Sequence, residues 1–252
     1  MSAALIAAEI RDGRDPPVVM VSALGEPGSH WQPVIKQLRT GPRIITYDRP
    51  GIGTSPPRPP PNPPLTYSAF AGELAALLDH LGIRRPVVLV GHSVGSLIIR
   101  MFAAAHPEQV TGIVHVDGSL PRLTLWPGGG ARVDGEGPDA TEIDLASGEA
   151  EVVQAESPLV PSIVLARTPG RWTMQPPDPA IDGIWQRAQA DLARRSGAAL
   201  IIAKDSGHLI PADAPGLVAF AVDQVVMAVR EGSSTAALDA RQVERAGGNL
   251  AK

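Results

Sequence analysis

Serine is a weak nucleophile until a base takes its proton, and residues 87–100, "VVLVGHSVGSLIIR", set one serine where such an arrangement can be built. Ser93 is the centre of Gly91-His92-Ser93-Val94-Gly95, between an apolar run and a stretch of helical period. The pentapeptide alone is a weak signal, because glycine and serine are common here. Its context is stronger. A tight strand-to-helix turn needs glycine on either side of a strained residue and holds that side chain out at the carboxyl end of a sheet. The following helix also turns its positive end toward Ser93, which favours negative charge developing there. The competing reading is a glycine-flanked turn with an ordinary capping serine.

A hydroxyl nucleophile calls for a histidine, the side chain whose charge changes near neutral pH. The chain has six. His208, in "SGHLIPADAPG", follows the last apolar run and precedes the last helical stretch, and it is the candidate base. His92 lies beside the nucleophile, His106 ends a helix, and His30 and His80 read as loop and helix-end surface residues. His115 lies inside an apolar run and reads as a hydrogen-bonded core or pocket histidine. There is no cysteine, which removes disulfides, thiolate zinc sites and a cysteine nucleophile.

The elements that must carry these groups follow from periodicity. Short apolar runs, Val18–Ser22, Arg43–Tyr47, Val87–Gly91, Gly112–Val116, Ser162–Ala166 and Ala199–Ala203, read as strands apolar on both faces. They alternate with helical stripes: Trp31, Val34, Ile35 and Leu38; Phe70, Leu74, Leu77, Leu78 and Leu81; Leu97, Ile98, Met101, Phe102 and Ala105; and a last helix over about Leu217–Arg230. Repeated strand-helix units imply an α/β fold, a mostly parallel, doubly wound central sheet with helices on both faces. One domain over 1–230 is expected. "PPRPPPNPPL" is expected to be a stiff extended surface connection, residues 118–161 an irregular lid over the sheet, and residues 231–252 a polar, frayed or loosely helical C-terminal tail.

From Val18 to about Arg230 the chain resembles the α/β-hydrolase fold superfamily, with "GHSVG" as its nucleophile elbow and "DSGHLIPADAPGLV" as its catalytic histidine segment. "VVMVSALGEPGSHW" is similar to its oxyanion loop and "YDRPGIGTS" to a sharp turn, which makes Asp48 structural. The resemblance implies an oxyanion hole built from the backbone N–H groups of Leu24 and Val94, with Gly25 as the alternative to Leu24. The family's commonest acid follows the strand here formed by "SIVLA", yet the next six residues, Arg167 to Trp172, contain no carboxylate. Some members, such as the haloalkane dehalogenases, carry the acid one strand earlier, and Asp117 in "GIVHVDGS" stands at that place. Asp117 is therefore the candidate acid, with Asp178, Asp144 or a weakened dyad as alternatives. The lid position suggests that Leu120, Leu123, Leu125 and Trp126 wall a substrate pocket.

What the resemblance implies is a serine hydrolase acting on a small-molecule carboxylic ester, lactone or thioester through an acyl-enzyme, with no cofactor and no metal. A non-catalytic small-molecule-binding protein on the same scaffold is the rival. With 22 Lys plus Arg against 26 Asp plus Glu, no basic face for nucleic acid is expected. The start has a short apolar run but no basic region before it, and Glu9, Arg11 and Asp12 interrupt it, so neither a signal peptide nor a membrane span is expected and a cytoplasmic location follows.

Overall fold

Successive side chains of one strand leave on opposite faces of a sheet, so a strand of continuous Val, Ile and Leu needs an apolar partner on both sides. The computed structural model, which describes residues 6–59, 62–119, 132–171 and 179–251, provides two. The elements are β1 (Ala8–Arg11), β2 (Arg14–Val21), α1 (Gln32–Ile35), β3 (Pro42–Tyr47), α2 (Tyr67–His80), β4 (Val87–His92), α3 (Val94–Ala105), β5 (Val110–Val116), β6 (Arg132–Asp134), β7 (Thr141–Ile143), α4 (Leu145–Gln154), β8 (Ser162–Ala166), α5 (Pro179–Ser196), β9 (Ala199–Ala203), α6 (Ile210–Asp213), α7 (Pro215–Arg230), α8 (Ala240–Arg245) and β10 (Gly248–Leu250). The main sheet has eight strands in the order β1-β3-β2-β4-β5-β8-β9-β10, all parallel except the two edges, β1 on β3 and β10 on β9. It is the mostly parallel, doubly wound sheet that the alternation of runs and stripes predicts.

Val19, Val21 and Leu89 enter one core with Phe70, Leu74 and Leu77 of α2 and Leu97, Ile98 and Phe102 of α3. Val18, Met20, Val88 and Val90, their neighbours in the same strands, enter the other with Trp31, α1 and the Leu217–Val226 face of α7. Each such side chain contributes about 1.5–3 kcal/mol by burial.

Two expectations need correction. The segment after Arg230 is not a frayed tail: α8 buries Val243 in the second core, and β10 completes the sheet through Lys204 N–H to Gly247 O and Ala251 N–H to Leu200 O, both 2.9 Å. The described part of 118–161 is not irregular either. It holds the β6–β7 hairpin and α4, whose cap is Asp144 accepting the Ser147 N–H at 3.0 Å. The proline-rich connection ties this hairpin down: Leu65 exchanges backbone hydrogen bonds with Glu142 and Asp144, and the Arg58 guanidinium bonds Glu73 on α2 and lies over Phe70.

Candidate active site

Ser93 joins β4 to α3 with φ 54° and ψ −120°, a left-handed backbone that costs a non-glycine residue about 1–3 kcal/mol and persists only where its surroundings impose it. They do. The Ser93 N–H donates to Val116 O at 3.1 Å, and the Ser93 carbonyl accepts from Ser96 N–H and Ser119 N–H at 3.0 and 2.9 Å. The flanking glycines answer to close packing rather than to their own φ. A Cβ on Gly91 would sit 2.6 Å from Gly95 O, and one on Gly95 would sit 2.2 Å from Val21 O. The same packing sets the loop after β2 against the start of α3.

His208, in the loop between β9 and α6, brings Nε2 to 2.9 Å from Ser93 Oγ and Nδ1 to 2.6 Å from Asp117 Oδ2. His92 Nε2 donates to the His208 carbonyl at 2.8 Å and so fixes the loop. Burial first, then the neighbouring charge of His208, pushes His92 down to about 3, which keeps it a neutral donor. Ser119 Oγ lies 3.1 Å from Ser93 Oγ. A Ser93 hydroxyl pointing at His208 has no proton left for Ser119, so Ser119 is the donor of that pair.

Asp117 follows β5, is fully buried, and has φ 40°. Its Oδ1 accepts from the Arg167 N–H and from Trp185 Nε1, each at 3.0 Å. Its Oδ2 accepts from His208 Nδ1 and, at 3.1 Å, from Arg167 Nη1. Burial works to raise this carboxyl, but the hydrogen bond and charge of His208 and the charge of Arg167 outweigh it and hold Asp117 below the usual carboxylate range. Of the acids left open by the sequence, Asp117 is the one beside His208. Asp144 is occupied as the cap of α4, and Asp178 lies outside the described residues.

The loop after β2 is gripped by an ion pair that no sequence pattern announces. Arg49 donates to Ser22 O at 2.8 Å, to Ala23 O at 2.5 Å and, through two nitrogens, to Asp134 at 2.6 and 2.8 Å. Asp134 Oδ1 also accepts the Gly25 N–H at 2.9 Å. That bond removes Gly25 as the alternative oxyanion donor. Among the described residues the N–H groups of Leu24 and Val94 meet no acceptor, and they lie on adjoining segments. Asp48 is structural as read, accepting the N–H groups of Gly28 and Thr54. His115 is a core histidine bonded to Ser96 Oγ at 2.8 Å. Leu120, Leu123, Leu125 and Trp126 lie outside the described residues. No group of three or more His, Asp or Glu side chains that could hold a metal ion occurs among the described residues, and none of their helices is long and apolar enough to cross a membrane.

The arrangement offers a hydroxyl on a strained turn, an imidazole bonded to it, a buried carboxylate behind the imidazole, and nearby two amides that meet no acceptor among the described residues. Arg167, Trp185, Ser119, Arg49 and Asp134 complete it and were not singled out by the sequence. Comparison with known proteins agrees with the architecture. The chain is 37% identical over 105 residues to the "Putative carbamate hydrolase RutD" of Enterobacter cloacae, a stretch covering 42% of this chain and 38% of that protein. Among solved structures, a thermophilic esterase from Thermogutta terrifontis superposes with a TM-score of 0.61 at 21% identity, over 89% of this chain and 93% of that one. A monoacylglycerol lipase from Paleococcus ferrophilus superposes with a TM-score of 0.65 at 16% identity, over 89% and 99%. At such identities the likeness is one of fold. Residues 16–146, from the start of β2 through the elbow and Asp117 to the head of α4, match the family described as alpha/beta hydrolase fold, and the chain belongs to that family.

Proposed function

We propose that the protein is a serine hydrolase that cleaves a small carboxylic ester, lactone or thioester through an acyl-enzyme on Ser93. The observation that carries this reading is the continuous hydrogen-bonded chain from Ser93 Oγ to His208 Nε2 at 2.9 Å and from His208 Nδ1 to Asp117 Oδ2 at 2.6 Å. With Asp117 ionised, Nδ1 carries the proton and Nε2 is left as the acceptor that the Ser93 hydroxyl needs. His208 takes that proton as Oγ attacks the acyl carbon. The carbonyl oxygen gains negative charge, and the N–H groups of Leu24 and Val94 are the donors for it. His208 then gives the proton to the leaving alcohol. Water, deprotonated by the same imidazole, attacks the acyl carbon, and His208 returns the proton to Ser93 Oγ as the acyl–Oγ bond breaks and the acid leaves.

Two observations favour this over a ligand-binding protein without catalysis. Ser93 carries backbone strain that a mere capping serine has no use for, and Asp117 is buried with its charge directed at His208. The name of the Enterobacter relative adds carbamates to the acyl compounds worth testing. The test has two stages. A fluorophosphonate should label the protein, and Ser93→Ala should abolish the label; an unlabelled native protein would favour the binder. Chromogenic acyl esters of increasing chain length, with an aryl carbamate beside them, should then be hydrolysed with a preference that reports the depth of the pocket.

A further inference from the structure

Behind Ser93 four ionisable side chains follow one another in contact. His208 Nδ1 meets Asp117 Oδ2 at 2.6 Å, Asp117 Oδ2 meets Arg167 Nη1 at 3.1 Å, and Arg167 Nη2 meets Asp182 Oδ1 at 2.9 Å. Arg167 and Asp117 are fully buried and Asp182 is 9% exposed. The last member comes from α5, which turns four polar side chains at i, i+3, i+4 and i+7 toward this spot. Asp182 bonds Arg167 and accepts the Gly170 N–H at 2.8 Å, Trp185 bonds Asp117, Gln186 bonds the Arg167 carbonyl at 3.1 Å, and Gln189 bonds the Gly118 carbonyl at 2.6 Å.

The order of charges has a consequence. A buried guanidinium whose only counter-charge were Asp117 would compete with His208 for that carboxylate. A protonated imidazole would then leave the group of three with a net positive charge out of water, which is costly. Asp182 changes the balance: the four groups together carry one negative charge when His208 is neutral and none when it is protonated.

We propose that Asp182, acting through Arg167, is a positioning residue of this site, supplying the second negative charge that leaves Asp117 available to the imidazolium of His208. The inference rests on His208 being the base, as the proposed function has it. The groups facing His208 are Ser93 and His92 from the elbow, Asp117 from the end of β5 and Trp185 from α5, with Arg167 behind Asp117. Neither Ser93 nor Trp185 titrates in the range concerned, and His92 stays neutral there.

The test compares Asp182→Asn, whose amide oxygen can still accept from Arg167, with Arg167→Met. Two quantities are read against pH in each full-length variant: the rate of fluorophosphonate labelling of Ser93 and the NMR resonances of the His208 imidazole. Removing the negative charge should move both midpoints to lower pH, and removing the positive charge should move both to higher pH, each by on the order of one unit. Arg167→Lys, which keeps the charge and loses the fork, covers the event that Arg167→Met does not fold; its midpoint should stay while labelling slows. A purely structural role lowers melting temperatures and moves no midpoint. A folded Asp182→Asn protein with both midpoints at the native values overturns the inference. If the native protein is not labelled, the hydrolase reading fails and the inference falls with it, whereas labelling lost in Ser93→Ala together with unmoved midpoints overturns the inference alone.

Discussion

Asp134 accepts two N–H bonds from Arg49, at 2.6 and 2.8 Å, in a place where neither side chain meets water to any extent. Arg49 follows β3 and Asp134 ends β6, so the pair joins the β6–β7 hairpin to the loop that carries Leu24, whose carbonyls Ser22 O and Ala23 O accept further guanidinium N–H groups. Removing one partner of a buried pair leaves a charge without compensation and costs about 3–5 kcal/mol. Asp134→Ala should therefore melt well below the native protein. Asp134→Asn, which retains an acceptor for the Gly25 N–H, should stay folded yet label more slowly at Ser93, since the loop loses half its grip. Thermal melting and labelling rate measured on the same preparations separate the two effects, and native values for both in Asp134→Ala would refute the clamp.

Asp117→Asn should fold and fail in turnover. The substituted side chain keeps an oxygen for the Arg167 and Trp185 N–H groups, and asparagine tolerates the positive φ of this position. What it loses is the carboxylate that sets the proton on His208 Nδ1, and the expected cost is on the order of 10⁴ in kcat with little change in KM. Steady-state kinetics on an accepted chromogenic ester checks this. Near-native turnover would mean that another group completes the site.

Much of this site is legible in the residues themselves, for identifiable reasons. Strands buried on both faces, such as β4 and β5, carry runs of Val, Ile and Leu on consecutive positions, Val87–Val90 and Ile113–Val114, and they stand out. Ser93, Asp117 and His208 each lie just beyond such a strand, where a parallel sheet collects side chains at one edge. The helix α5 is hidden by its role. Its buried positions are Asp182, Trp185, Gln189, Ala193 and Ser196, a polar face that serves Asp117 and Arg167 and so shows no apolar stripe. Arg167 is passed over because a search for a missing carboxylate discards a cation. The pairing of Arg49 with Asp134 spans 85 residues and leaves no local pattern. At the edges, β1 is exposed throughout and β10 is three residues long, too little for alternation to register.

The C-terminal segment should contribute measurable stability. A chain ending at Arg230 loses β10, uncovers one edge of β9 and exposes the core that Val243 closes. Burying that one valine is worth about 1.5–3 kcal/mol, and for a chain of this size each kcal/mol moves the melting temperature by about 2–4 °C. The truncated protein should melt at least several degrees lower while its Ser93 retains the geometry of the elbow. An unchanged melting temperature would show that the segment does not hold to the sheet in solution.

Stability should fall with acid over two pH windows, the first set by histidines. Burial, followed by the charge of Arg100, pushes His115 down to about 3, and burial, followed by that of His208, does the same for His92. Their folded values lie below the unfolded value near 6.5, so the unfolded chain binds the extra protons. The stability they contribute is complete above about pH 6.5 and drains as pH falls toward about 3, at about 1.4 kcal/mol per histidine for each pH unit. Asp117 and Asp134 follow. Both carboxyls are held below their ordinary value in the folded state, so their contribution is complete above the unfolded value near 4 and is lost as pH falls through the folded one. Denaturant midpoints should therefore already be lower at pH 5 than at pH 7.5, where no carboxylate of this pair has begun to titrate. Replacing His115 with glutamine should flatten that first decline, even if the substitution lowers stability at pH 7.5, because a neutral side chain has no proton to gain; a decline of undiminished slope would place the acid-sensitive groups elsewhere.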